Sequence, residues 1–431
     1  VASRTLGPDE AAALVRTRDV VGFGLGPANP PAFLAALGRR TDWEDLVLGG
    51  ALLLGLFEVL NHPGVSYRCG FFGPAERLAV AQGRRVAHVP GGFRQFGPIL
   101  ARTAPRVMCV AAAPPKDGRV NLSLHYGGTK DALEAAGRDP DRLLVVETHP
   151  GFPPTCSLPP EHDNTLDLDL VDVLVEGDQA PFELPEPAVT EVEEAIAAHA
   201  LELISPGDTL QTGIGAVPSV VAARLAEQPG GDYGVHSEMF TDGLMHLHRA
   251  GKVTNRGKGE FEGVSVTTFA LGTGELYRWL DHNPEVAFLD VALVNDPTVI
   301  AANRHFVSLN GALAVDLYGQ VVADHVDGRQ ISGVGGHEDF VAGAELHVDA
   351  RSLICLPATA TVDGERRSRI VAALGAGSVV STPRHHTAVV VTEYGWADLR
   401  GLTVTERALA LAEVAHPDDR RALRAAAQAL R

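Results

Sequence analysis

The sequence predicts two open α/β domains, each a doubly wound parallel sheet wrapped by helices. Three observations carry that expectation. At 431 residues the chain is too long for one ordinary core, so two domains of roughly 200 residues follow. Apolar runs of strand length alternate with stretches of helical periodicity along most of the chain, the pattern of parallel βαβ units. Glycine turns recur where a strand passes into a helix, the place where open α/β sheets bind ligands. No strict internal repeat relates the two halves.

Residues 8–16 read as a short helix, with Pro8 at its entry and Asp9 and Glu10 in the first turn. Residues 19–24 form an apolar strand that runs into the loop GLGPANPP, and a helix over 31–39 follows. GFGLG lacks the third glycine of a dinucleotide fingerprint, and Pro30-Pro31 interrupts it. Further strands are expected at 46–54, 106–113 and 143–148, with a tight turn at Lys116-Asp117-Gly118 and a helix at 131–137. Proline and acidic residues crowd 150–185 around one strand at 170–175. That stretch reads as a connection, which gives domains 1–186 and 187–431.

Thr190 and Glu193 form a capping box for a helix that reaches residue 204. Then come a strand at 208–212, the turn Gly213-Ile214-Gly215, and a helix at 217–227 whose first turn tolerates Pro218. A strand at 233–237 ends at Glu238, before a helix at 240–250. Strands are expected at 265–270, 287–294, 306–309 and 353–356, and another pair flanks 382–386 and ends in VVVTEYG. Helices at 396–414 and 417–430 close the chain.

A glycine turn entering a helix offers backbone N–H groups and a positive dipole end. A carboxylate from the neighbouring strand end would lie beside it. Glu238 is therefore a candidate nucleophile and the 213–217 turn a candidate oxyanion hole. Taken alone, a glutamate after a strand is more often a solvated cap, and the turn an ordinary βα connection. The same balance holds elsewhere. Asn295 in VNDP is either an active-site amide or an Asx-turn before Pro297. His337 reads as a pocket residue or as a partner of Asp339 or a backbone carbonyl.

Composition narrows the partners. A net charge of −18 disfavours nucleic acid and anionic membrane as ligands, while allowing a local basic pocket. Cys69, Cys109, Cys156 and Cys355 are scattered without CxxC spacing and read as reduced thiols, with Cys109 and Cys355 in apolar strands. No apolar run of about 18 residues suits a membrane span, and no signal-peptide pattern opens the sequence. A cytoplasmic location is expected. No metal site is expected, since the histidine pairs His246/His248 and His385/His386 have unsuitable spacing. The GxxxxGK[ST] and GxSxG motifs are absent from the sequence.

The motifs GIGAVP, GVHSEMFTDG, LVNDPTVIAANRHFVSLNGALAVDLYGQVVAD, SGVGGHEDFVAGA and VVTEYGWADLRG stand in this order. With them the sequence resembles the acetyl-CoA hydrolase/transferase family, the class I CoA-transferases that include 4-hydroxybutyrate CoA-transferases. The likeness is dense over 208–420 and weaker before 150, where VAAAPPKDGRVNLS still follows the family's pattern. It implies the CoA-transferase fold for both domains and a homodimer. It also implies transfer of CoA from an acyl-CoA to a small carboxylic acid such as 4-hydroxybutyrate or acetate. Coenzyme A is then a substrate, and no prosthetic group or metal is needed.

By the same resemblance Glu238 is the catalytic glutamate, which carries a glutamyl-CoA thioester. Gly213, Ile214, Gly215, Ala216 and Val217 form the CoA-binding and oxyanion loop. Gly336 donates its amide to the oxyanion and contacts CoA, and Ser332 is a further CoA contact. Asn295 is the active-site amide, and Arg351, at a position where many members carry lysine, faces a CoA phosphate or solvent. Asn29-Pro30-Pro31 resembles a loop that the family places at its acyl site. His337 departs from the usual glutamine or small residue, and ETHPGFP replaces E-V-N-x-x-M-P, with His149 and Phe152 as the changed residues. These departures bear on which acid is used. Two alternatives stay open: an acyl-CoA hydrolase using the same glutamate, and a catalytically silent CoA-binding protein.

Overall fold

The computed structural model describes residues 3–430. The chain forms two compact units. The first holds the chain up to Leu184 and takes back Val266–Leu293; the second holds Pro185–Ser265 and the chain from Val294 onward. A single cut at 186/187 therefore misses one excursion. Inside the first unit the returning segment is tied by the Leu184 amide, which donates to the Gly272 carbonyl, and by the Tyr277 hydroxyl, which donates to the Phe182 carbonyl at 2.6 Å.

The first unit is built on eight strands: β1 (Arg4–Leu6), β2 (Arg18–Leu25), β3 (Asp45–Ala51), β4 (Val65–Cys69), β5 (Val86–His88), β6 (Val107–Ala112), β7 (Leu143–Thr148) and β8 (Val173–Glu176). Their lateral order is β1-β8-β7-β6-β2-β3-β4-β5, and every neighbouring pair is parallel. The chain winds outward from β2 to β5, then returns to the other side of β2 and winds outward again. The sheet is thus doubly wound, with its switch point between β2 and β6. β6 and β7 read VMCVAA and LLVVET and are buried along their whole length. Helices on both faces of a parallel sheet leave no room for polar alternation. β1, β4 and β5 are short and carry no such signal, and the sequence did not announce them.

The second unit carries β9 (Thr209–Thr212), β10 (Gly234–Val235), β11 (Phe306–Gly311), β12 (Arg351–Cys355), β13 (Val389–Thr392) and β14 (Gly395–Asp398). The order is β10-β9-β11-β12-β13-β14, parallel except for the last pair. Here the winding reverses between β9 and β11. Helices Ala216–Glu227, Asp242–Arg249 and His337–Glu345 follow the strands or their loops. Thr190 caps Glu191–Leu201 as its box requires.

Three expectations fail locally. Of the pair expected to flank 382–386, only β13 after it forms; 372–381 holds no strand, and Thr382 makes just an isolated bridge with Val321. The stretch 287–294 is a strand only at Val286–Phe288 and turns helical at Val291–Val294. Trp396 lies in β14 rather than in a helix, because Glu393-Tyr394 make a two-residue hairpin between β13 and β14 with Gly395 at φ +133°. The helix starts later, at Val404, where Thr403 and Glu406 form its capping box. Cys69, Cys109 and Cys355 are buried, and all four cysteines are free. Among the described residues no helix is long and apolar enough to cross a membrane.

Candidate active site

The candidate residues meet where β9 and β10 end. Hydrogen bonding between these strands continues past the two residues of β10, with the His236 amide donating to the Leu210 carbonyl. The Ser237 hydroxyl lies 3.1 Å from the Thr212 carbonyl and 2.8 Å from that of Met239. It also accepts from the Thr212 amide at 3.4 Å. Ser237 is thereby held against the last residue of β9. The next residues are Glu238 on one segment and Gly213 on the other, so carboxylate and glycine turn leave the sheet side by side. Gly215 has φ +129°, a region that side chains disfavour, and caps helix Ala216–Glu227. Ile214 is 51% exposed, an apolar side chain left on the surface of the turn.

The Asn295 Nδ2 donates to Glu238 Oε2 at 2.6 Å, and the same nitrogen lies 3.5 Å from Asp339 Oδ2. One amide thus reaches two carboxylates. Asn295 is free to do so because Asp296 does the capping: its Oδ1 accepts from the Thr298 amide at 2.7 Å and the Thr298 hydroxyl at 2.6 Å. The Asx-turn that the sequence left open therefore belongs to the neighbour. Asn295 is fully buried, and among the described residues its Oδ1 has no hydrogen-bond partner.

Gly336 closes the other side. A Cβ there would fall 1.9 Å from Glu238 Oε2 and 2.3 Å from Asn295 Nδ2. Only glycine lets this backbone approach the carboxylate. Gly336 also caps His337–Glu345, so a positive helix end is directed at the site.

Glu238 keeps some surface open to solvent, yet protein crowds it on most sides. Burial pushes its carboxyl up to about 7; the Asn295 hydrogen bond opposes the rise and the Asp339 charge adds to it. Two buried polar groups brace the strand end beneath. The His236 Nε2 donates to the Val294 carbonyl at 2.7 Å, one residue before Asn295, and its Nδ1 accepts from Asn303 Nδ2 at 3.3 Å. The ring is therefore neutral; burial, with help from Lys258, pushes it down to about 3. Lys258 is fully buried, and its Nζ donates to the Val235 carbonyl at 2.8 Å and the Val264 carbonyl at 3.0 Å.

The other expected residues fall into two groups. Ser332 lies in the loop that leads to Gly336, with its hydroxyl 3.2 Å from the Gly333 carbonyl. His337 is engaged by neither of the partners expected for it: its Nε2 donates to the Thr382 hydroxyl at 2.9 Å, which donates to Glu338 Oε2 at 2.9 Å. The His386 Nδ1 donates to the other Glu338 oxygen at 2.5 Å. Arg351 stands apart. It opens β12 and lies 3.9 Å from Asp208, the residue just before β9. Both sit at the N-terminal ends of the parallel strands, opposite the ends that carry Glu238 and the glycine turn. Ser237, His236, Lys258 and Asp339 were not singled out as site residues by sequence. The only hint for Ser237, His236 and Asp339 was polar residues set beside apolar ones in GVHSEMF and GHEDF; Lys258, in GKGEF, gave none.

The first unit has its own buried carboxylate. Glu147, in β7, accepts from the Ala32 amide at 3.0 Å and the Phe33 amide at 2.8 Å, one on each oxygen. It caps helix Pro31–Arg39, which begins at the last residue of Asn29-Pro30-Pro31. Asn29 is also buried and bonds the Gly24 carbonyl and the Leu54 amide. His149 accepts from the Gly151 amide at 2.9 Å, and Phe152 is buried.

A model of the acetyl-CoA hydrolase/transferase C-terminal domain matches residues 272–427. The 4-hydroxybutyrate coenzyme A transferase of Clostridium kluyveri is 39% identical over 358 residues, 82% of this chain and 80% of that one. The chain belongs to the acetyl-CoA hydrolase/transferase family. Another relative in the family's range is the succinyl-CoA:cyclohexane-1-carboxylate CoA transferase of Geobacter metallireducens. It is 34% identical over 431 residues, 99% of this chain and 95% of that one. The crystal structure of RipA from Yersinia pestis superposes with a TM-score of 0.89 at 31% identity, covering 99% of this chain and 97% of that one. Membership accounts for the two doubly wound units and for the order of the five motifs.

Proposed function

We propose that this family member is an acyl-CoA:carboxylate CoA-transferase that works through a glutamyl-CoA thioester on Glu238. One observation carries the reading: a crowded glutamate with an amide on one oxygen, glycine backbone pressed against it, and a second glycine turn leaving the sheet at its side. A Glu238 oxygen attacks the thioester carbonyl, and the C–S bond breaks with its electron pair on CoA sulfur. The thiolate then attacks the glutamyl carbonyl of the mixed anhydride, and the original acid leaves as its carboxylate. A second carboxylate reverses both steps. Anhydride and thioester are both activated acyl groups, so the activation is kept.

Each addition makes an oxyanion that needs preorganised donors. The Asn295 amide already sits on Oε2, which becomes the glutamyl carbonyl oxygen. Gly336 and the 213–217 turn supply backbone N–H groups, and the turn with Ser332 and Ile214 lines the CoA arm. The acyl chain is a small carboxylic acid, the class named for the relatives. CoA is the substrate and the group carried. Four free cysteines suit a cytoplasmic setting, and a homodimer is the assembly expected.

The test is a double incubation. Wild type and Glu238→Ala are mixed with acetyl-, butyryl-, succinyl- and 4-hydroxybutyryl-CoA, each with isotope-labelled acetate. Transfer predicts labelled acetyl-CoA from wild type and none from the variant. Free CoA accumulating at the rate of donor loss, with no labelled thioester, would make the protein a hydrolase. Tight CoA binding without turnover of any donor would make it a silent binder.

A further inference from the structure

Of the two carboxylates on the Asn295 amide, the proposed chemistry uses one. We propose that Asp339 is a positioning residue that drives Glu238 forward into its covalent forms. The inference rests on Glu238 being the nucleophile. The Asn295 nitrogen has two hydrogens, one toward Glu238 Oε2 and one toward Asp339 Oδ2. Both carboxylates are thus held on one buried amide. Asp339 lies in the first turn of His337–Glu345, directly after the glycine backbone that touches Glu238.

Charge bookkeeping gives Asp339 its effect. Loading converts the Glu238 carboxylate and an acyl-CoA into a glutamyl-CoA thioester and a free carboxylate. A C–S bond forms at Glu238 and one breaks in the donor, and the negative charge moves from Glu238 to the departing acid. Two like charges on one amide repel. The repulsion raises the energy of the resting carboxylate and vanishes when Glu238 becomes a neutral thioester. It also disfavours the return of the released acid into the site. Nearby, His236 is neutral, and burial pushes the Lys258 ammonium, which donates to the Val235 and Val264 carbonyls, down to about 7. His337 is engaged with Thr382, and Glu338 with Thr382 and His386.

The experiment measures loading at equilibrium. Wild type, D339N and D339E are incubated with fixed ratios of butyryl-CoA to butyrate, and the thioester fraction is read by intact-protein mass spectrometry. D339N should load about tenfold less at the same ratio, and the acid limb of its kcat/KM profile should fall by about one pH unit. D339E, which keeps the charge, should stay within about threefold of wild type on both readings. Unchanged loading and an unchanged acid limb in D339N, with kcat alone reduced, would overturn the proposal. If D339N is recovered unfolded, D339E decides: loss of loading with the charge retained would likewise overturn it. A wild type that forms no thioester would instead remove the nucleophile reading on which the inference rests.

Discussion

Glu147 in the first unit and Glu238 in the second stand at the ends of parallel strands, both crowded by protein. Burial pushes both carboxyls up to about 7. Their partners differ. Glu147 is fully buried and takes one backbone amide on each oxygen, from the first turn of the helix it caps. Glu238 keeps some exposure, and its Oε2 takes a side-chain amide that also reaches another carboxylate. Two fixed backbone donors, aimed at a carboxylate that stays put, make a joint. A shared amide, with glycine backbone where a Cβ would collide, makes a place where charge can come and go. A raised pKa marks both carboxylates alike, and the hydrogen bonds tell them apart.

The comparison breaks most sharply on activity. Glu238→Ala should cut kcat by about 10⁴-fold while the protein stays folded, because the proposed nucleophile is gone. Glu147→Ala should leave kcat per folded molecule within about threefold. Steady-state rates on matched, circular-dichroism-checked samples test both. Equal losses would erase the distinction. Gly336→Ala comes next: a methyl where Oε2 already sits should cost about 10²-fold in kcat/KM with little loss of Tm.

Stability should rank the two the other way. Glu147→Ala leaves the Ala32 and Phe33 amides without their acceptor, a cost of about 2–3 kcal/mol by urea unfolding. Glu238→Gln should do the opposite above neutral pH. An acid whose folded pKa is raised stabilises the fold in its protonated form. That contribution is complete below the ordinary glutamate value of 4.5 and is lost as pH rises through about 7. The glutamine variant should therefore match wild type near pH 4.5 and exceed it by about 1–2 kcal/mol near pH 8. A variant less stable than wild type at both values would contradict the burial argument.

The smallest effect belongs to the brace. Ser237→Ala removes the hydroxyl that holds Glu238's segment to Thr212, and should lower kcat about tenfold with KM unchanged. A rise in KM alone would place Ser237 in substrate binding instead.

Much of this was legible in the sequence, and the reasons for the rest are physical. β6, β7 and the helix Pro31–Arg39 announce themselves because parallel strands buried on both faces read as continuous apolar runs, and Pro31 pre-sets the first turn. The Glu238 segment and its glycine turn announce themselves through motif order. Trp396 misleads because a helix-like stretch follows a hairpin whose turn is only Glu393-Tyr394. Arg351 shows the limit of carrying a role by position: a strand's first residue lies at the end of the sheet away from the site. Asp339 and Ser237 are invisible because nothing local separates a first-turn acid or a strand serine from an ordinary cap. Only the fold brings their atoms to the carboxylate.

The most direct measurement is the address of the adduct. Wild-type protein is loaded with acyl-CoA, reduced with borohydride, digested and mapped by tandem mass spectrometry. The account predicts that the glutamate converted to its alcohol is Glu238, in the peptide that contains GVHSEMF, and that Glu147 is untouched. Reduction at Glu147 or at any other carboxylate, with Glu238 intact, would contradict it.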